Sequence, residues 1–226
     1  MSWVSDFFAQ YGNLLLVNTW ITVYVTTLST LFAYILGVPL GVLLVITQPH
    51  GIWPHRSLNA VLGGIVNIGR SIPFIILLVA LIPFTRFVMG SAIGPKAMVL
   101  PLVTAATPFV ARMVESALLE VDAGVIEVAQ SVGSTVRQIV WKVILPESLP
   151  SIVFGASITY ITLIGYVAMA GAIGGGGLGD VAIRYGYYRY QTDVMIATII
   201  ITIILVEIIQ LLGNGISRKI DRRIKR

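Results

Sequence analysis

The sequence predicts an all-α, polytopic membrane protein with five transmembrane helices and a cytoplasmic pair of short helices. Three observations carry this. Of 226 residues, 57% are hydrophobic and 11% charged, where soluble domains carry roughly 45–50% and 25%. The mean hydropathy is +0.92, and the apolar residues fall into runs near the ~20 residues that cross a ~30 Å hydrocarbon core. The Lys and Arg residues are crowded into alternate intervening segments, as they are on the cytoplasmic side of a membrane.

The first run is the longest. No Asp, Glu, Lys or Arg occurs between Asp6 and Arg56. A polar head, Met1 to Asn13, precedes a first span at about 14–47. That stretch is longer than a straight crossing needs, so it is expected to tilt, to kink near Pro39 or to protrude. Two short spans are the alternative reading. The head lacks the basic n-region of a secretory signal and is expected to be retained. Further spans are expected at about 72–88, 97–117, 152–169 and 194–213, within one transmembrane domain over 1–226. Eleven of the 15 Lys and Arg residues then lie on one side, including six in the last ten positions. This puts the amino end outside and the carboxyl tail, 217–226, in the cytoplasm.

Composition also excludes functions. Without cysteine there is no disulfide, thiolate nucleophile or cysteine metal site. His50 and His55 are the two imidazoles, and with no carboxylates beside them no metal site is expected. The net charge of +5 is concentrated in the tail, which reads as a contact for membrane lipid headgroups and not as a nucleic-acid groove. Gly174-x-Gly176-x-x-Gly179 matches the spacing of a dinucleotide fingerprint. It follows a membrane span instead of a strand and no Gly-Lys-Ser/Thr accompanies it, so it reads as a flexible loop lining a cavity.

The segment at 120–150 is patterned. Asp122 is placed to cap a short helix over about Ala123 to Val132, and Gly133 to end it in the left-handed conformation. Ser134 or Thr135 can cap a second helix. There Val136, Ile139, Val140, Val143 and Ile144 share one face and Arg137, Gln138 and Lys142 the other. Leu145-Pro146 is expected to end this helix. By spacing alone, a helix lying in the headgroup region fits as well.

Glu127-Val128-Ala129, then Gly133 after three residues, then Val143-x-Leu145-Pro146 after nine, resembles the cytoplasmic signature of binding-protein-dependent ABC importer permeases. Val128 and Val143 depart from its usual Ala and Ile. Arg70 to Leu78, Ile82 to Arg86, Pro108 to Glu115, Leu163 to Gly171 and Gly174 to Gly179 look like the methionine-uptake members, from the first span to the last. The resemblance implies a subunit that translocates D- and L-methionine into the cytoplasm by alternating access. It implies a homodimer in a bacterial inner membrane, with two cytoplasmic ATP-binding subunits on the coupling helices and an extracytoplasmic methionine-binding lipoprotein. No enzyme activity and no cofactor are expected of this chain, since ATP hydrolysis falls to the partner. Glu127, Val128, Ala129, Gly133, Val143, Leu145 and Pro146 would form the coupling loop.

For the substrate path, Met169 is the preferred gate residue, because an unbranched thioether fills a closed gate and yields without a rigid rotamer barrier. Tyr166, Tyr160, Thr159 and Thr162 lie on the same helix, although hydroxyls in spans commonly satisfy a local carbonyl instead. Arg112 and Glu115 are spaced to pair along one helix face. Gly37-x-x-x-Gly41 permits a close helix contact. Glu207, mid-span, is expensive at that depth and has either a structural or a cavity role. A secondary transporter or channel for a small amino acid is the alternative function, and it would be expected to carry more charges inside its spans.

Overall fold

The computed structural model describes residues 2–221, with side chains from residue 5. Every regular element among them is helical. Helix α1, Ser2–Ile46, runs 45 residues without interruption. The expected polar head is therefore its first turns, and the two-span alternative does not occur. Pro39 lies inside the helix. At 1.5 Å per residue α1 is roughly 65 Å long, about twice the hydrocarbon thickness.

The second expected span, 72–88, is corrected by the structure. Helix α2, Arg56–Ser71, and helix α3, Phe74–Ala80, form a pair bent by 99°, and α4 follows at Ile82–Met89. The cause is local. Pro73 has no amide to donate and holds Ile72 in an extended conformation, φ −81° and ψ 121°, as a residue before proline is held. Helix α2 does not read as an apolar run because Arg56, Asn59, Asn67 and Arg70 interrupt it, although its apolar residues are strongly one-sided. Helices α5, Pro95–Leu119, and α10, Thr192–Ile220, contain the expected third and fifth spans. Four helices among the described residues are long and apolar enough to cross a membrane, and five crossings result if the bent pair is one.

In the patterned segment, α6 spans Ala123–Ser131, and Asp122 caps it by accepting a hydrogen bond from the Gly124 amide at 2.7 Å. Gly133 takes φ +77°, and the next amide, Ser134, returns to the Ala129 carbonyl. Thr135 and Gln138 form a reciprocal capping box at the start of α7, Val136–Ile139. The expected stop at Leu145-Pro146 is overturned. A π-helical turn at Val140–Ile144 carries α7 into α8, Leu145–Gly171, and Val136–Gly171 is one helical run of 36 residues. Widening the turn sends the Leu145 amide to the Val140 carbonyl. It so relieves the clash that proline makes with the carbonyl four residues back.

By packing, the chain divides into two units. One holds α1 as far as Leu31, residues 73–104 and 160–209. Its core is Leu15, Val181 and Val194, flanked by Phe7, Tyr11 and Tyr185. The short α9, Gly177–Val181, continues into a π-helical turn, Ala182–Tyr187. Its N-cap, Gly176, has no side chain to offer, so α1 supplies the cap: Asn18 Oδ1 accepts from the Gly177 amide at 3.1 Å and Thr22 Oγ1 from the Leu178 amide at 2.9 Å. The other unit holds 32–72, 105–159 and the residues from 210 on. Its core is Leu44, Val66 and Ala111. Here the Gly37-x-x-x-Gly41 expectation holds: a Cβ on Gly37 would lie 2.6 Å from Val110 and one on Gly41 2.7 Å from Val114, so α1 and α5 meet backbone to side chain.

Candidate functional site

The segment expected to form the coupling loop is built from α6, the Gly133 turn and α7. Val125 and Val128 on α6 and its C-cap residue Val132 recur at i, i+3 and i+7 and are all exposed, Val128 to 64% and Val132 to 75%. This is an uncovered apolar row, and Val128, a position that departs from the signature, lies at its middle. Trp141 is exposed close by in sequence. Ala129 faces inward and is buried, as are Ile139, Val140 and Ile144, while Val136, Val143 and Leu145 are half-buried and Pro146 is exposed. Arg137, Gln138 and Lys142 are exposed, so the predicted amphipathic face is real. Glu127 is exposed and borders a cavity of about 310 Å³ shared with Gln48, His50 and Gln130.

Behind this loop lies a polar network whose centre the sequence marked and whose arms it did not. Arg112 pairs with Glu115 at 2.5 Å. Arg112 also donates to Asn67 Oδ1 at 2.7 Å and the Gly63 carbonyl at 3.4 Å, and Gln48 donates to Glu115 at 3.4 Å. Asn59 donates to the Leu44 carbonyl at 2.7 Å and to Thr47. The network therefore joins the end of α1, α2 and α5. Asn59, Gly63 and Asn67 sit at helical i, i+4, i+8 spacing, the signal that would have found them. His55 is accounted for as the N-cap of α2, its Nδ1 accepting from the Leu58 amide.

The five path candidates on α8 separate. Met169 is half exposed, and Gly165 one turn before it has open space where a Cβ would stand. Thr162, Ile158 and Phe154 continue the same helix face, and the first two are half-buried. Tyr166 flanks this face and stacks on Phe74, with ring centroids 4.4 Å apart and planes 3° from parallel. Tyr160 points the opposite way and hydrogen-bonds with Thr27 at 3.0 Å. Thr159 is fully buried and donates to the Gly155 carbonyl at 2.8 Å. Met169 and Thr162 are thus brought to one open face, and Tyr160 and Thr159 are not.

After α8 the glycine loop folds back tightly. Cβ atoms on Gly171 and Gly179 would strike the Asp180 amide and the Ala168 backbone, and Gly174, Gly176 and Gly177 all have positive φ. The preceding element is a helix, so the dinucleotide reading has no strand to stand on. Glu207 lies on the exposed side of α10 among Ile203, Ile204 and Ile208, turned away from Val194 and Thr198, which are buried.

Residues 37–226 match the family described as the binding-protein-dependent transport system inner membrane component. The chain belongs to that family. Among its relatives is a probable D-methionine transport system permease protein of Vibrio cholerae, 49% identical over 220 residues, 97% of this chain and 98% of that protein. A methionine import system permease protein of Bacillus subtilis is 46% identical over 181 residues, 80% of this chain and 82% of that one. Among solved structures, an inward-facing MetNI methionine ABC transporter chain matches with a TM-score of 0.93 at 48% identity, covering 94% of this chain and 99% of that one. An amino acid ABC transporter at 20% identity, TM-score 0.77, shares the fold, over 93% of this chain and 96% of that one. As an inner-membrane component of this family, the chain is a multi-pass transport subunit and not an enzyme.

Proposed function

We propose that the chain is the permease of an ATP-driven importer and carries methionine into the cytoplasm as a homodimer. Two ATP-binding subunits dock on α6 and α7, and an extracytoplasmic methionine-binding lipoprotein delivers the substrate. The names of its relatives support the substrate and the motor. The observation that carries the coupling role is the uncovered row Val125, Val128, Val132 beside Gly133, an apolar edge that gains by being covered and a turn that lets a partner come close. The Lys and Arg distribution supports an amino end outside and a carboxyl end in the cytoplasm; of the basic tail, 222–226 lie outside the described residues.

The run Val136–Gly171 supplies the mechanism. It begins at the docking loop and ends just past Met169. Closure of the motors on ATP shifts α6 and α7, and a continuous helix passes that displacement to the Met169 end without a hinge loop to absorb it. The two copies of Met169 then part, substrate enters along the face marked by Gly165 and Thr162, and hydrolysis resets the inward-facing state. The test is reconstitution of the purified chain with what co-purifies from its native membrane. ATP-dependent methionine uptake, with one motor per permease, is expected. Uptake indifferent to ATP would overturn the reading in favour of a secondary transporter or channel.

A further inference from the structure

Near the end of α8, Ala170 and Gly175 meet Thr85 of α4 and Ala97, Met98 and Pro101 of α5 around a small cavity. The space open to the centre of a water-sized sphere is about 20 Å³, which admits a water, since the sphere itself occupies only roughly 10–15 Å³. Two features of the wall are polar and unsettled. Thr85 is 2% exposed and its hydroxyl has no hydrogen-bond partner in the protein. Thr22, Thr30, Thr47 and Thr159 all spend their hydroxyls on the carbonyl one turn back. For Thr85 that carbonyl is Leu81, at the junction of α3 and α4, and it accepts the Thr85 amide at 2.7 Å. Pro101, inside α5, has no amide to give to the Ala97 carbonyl one turn earlier. A buried hydroxyl without a partner and a residue whose carbonyl lacks its usual helical donor thus belong to the lining of one small space.

We infer that this cavity is a binding site for one ordered water, which accepts the Thr85 hydroxyl and donates to the Ala97 carbonyl. Buried polar groups are satisfied by protein or by such a water. The water ties α4 and α5 together behind the segment that follows Met169. Gly175 completes the enclosure: a Cβ there would run into Met98 Sδ, so this loop closes directly over the Met98 side chain.

The test uses the full chain in detergent and needs no transport. Ionising radiation converts a trapped water into a hydroxyl radical that oxidises an adjacent thioether, so Met98, 4% exposed, reports the site. The parent and Thr85→Ser are expected to show Met98 oxidation in spite of its burial. Thr85→Val keeps the shape and removes the anchor, and should lose that oxidation and lower Tm by roughly 2–4 °C. A dry cavity gives the opposite pattern. Met98 would stay unmodified in the parent, and Thr85→Val would hold or raise Tm by removing an unsatisfied hydroxyl. Either result overturns the inference, and the parent measurement stands even if the valine variant fails to fold.

Discussion

Val128 has a β-branched apolar side chain pointing into solvent on a short helix, with Val125 and Val132 one turn to either side. An aspartate at this position leaves α6 free to form, because the helix is held by the Asp122 cap, buried Ala129 and the Gly133 turn. It does put a charge where a partner must remove water, which is costly without a matching donor. Val128→Asp is therefore expected to weaken motor binding by about tenfold or more, or ~1.4 kcal/mol, read as loss of the co-purifying ATPase from a chain with unchanged Tm. Retention of the motor would move the docking face elsewhere. Glu127 borders a cavity lined by its own chain's Gln48, His50 and Gln130 and lies beside the row without belonging to it. Glu127→Ala should lower ATP-coupled uptake with membrane insertion normal, and equal uptake in variant and parent would refute its coupling role. At Gly37, where a Cβ would come within 2.6 Å of Val110, Gly37→Leu forces α1 from α5. A loss of ~1–3 kcal/mol is expected for such overpacking, seen as a lower Tm in detergent.

Three elements are tied by one charge cluster. The Arg112 and Glu115 side chains are 26% and 12% exposed, so their pair is worth more than a surface bridge and less than a buried one. Arg112→Met alone leaves Glu115 with only Gln48 and frees Asn67, and should cost about 1–3 kcal/mol. Joining it to Glu115→Leu should recover part of that, since no charge is then stranded; a double variant worse than the single would show that Arg112 acts through Asn67 instead. The sequence made this pair legible by its i, i+3 spacing, but Asn67 and Gly63 were hidden, because four polar residues dilute α2 below the hydropathy of a span. Caps were readable for the same local reason: Asp122, Gly133 and Thr135 each act on amides within three residues. Pro146 was misread because a proline forbids an α-helical hydrogen bond, whereas the π turn at Val140–Ile144 avoids making it. On α8, sequence preferred Met169 to Tyr160 without separating the faces they occupy, and the position of Thr27 on α1 shows that Tyr160 is engaged elsewhere.

At the scale of the whole molecule, what matters is that the proposed docking loop and the proposed gate residue, Met169, adjoin one helical run. Four helices among the described residues can cross a membrane, or five with the bent pair; in the proposed homodimer the two states come from moving copies of the chain, and the force enters where the motor binds. A rod transmits a displacement and a flexible joint does not. Inserting four glycines, close to one full turn, within Val140–Ile144, the π turn where the run is already widened, keeps the faces of α7 and α8 nearly in register while giving the rod a joint. Glycine costs about 1 kcal/mol per residue in a helix, an amount the packed α8 can absorb. The expected outcome in reconstituted complexes is retained ATP hydrolysis with methionine uptake lost. If the insertion leaves uptake per ATP unchanged, the signal reaches Met169 by another element, and the continuity of Val136–Gly171 is a feature of folding alone. If hydrolysis and uptake fall together while the motor stays bound, the run governs the motor's own cycle. Met169→Ala separates the gate from the rod: the shortened side chain should leave docking unchanged and raise the leak of methionine without ATP, which the glycine insertion should not do.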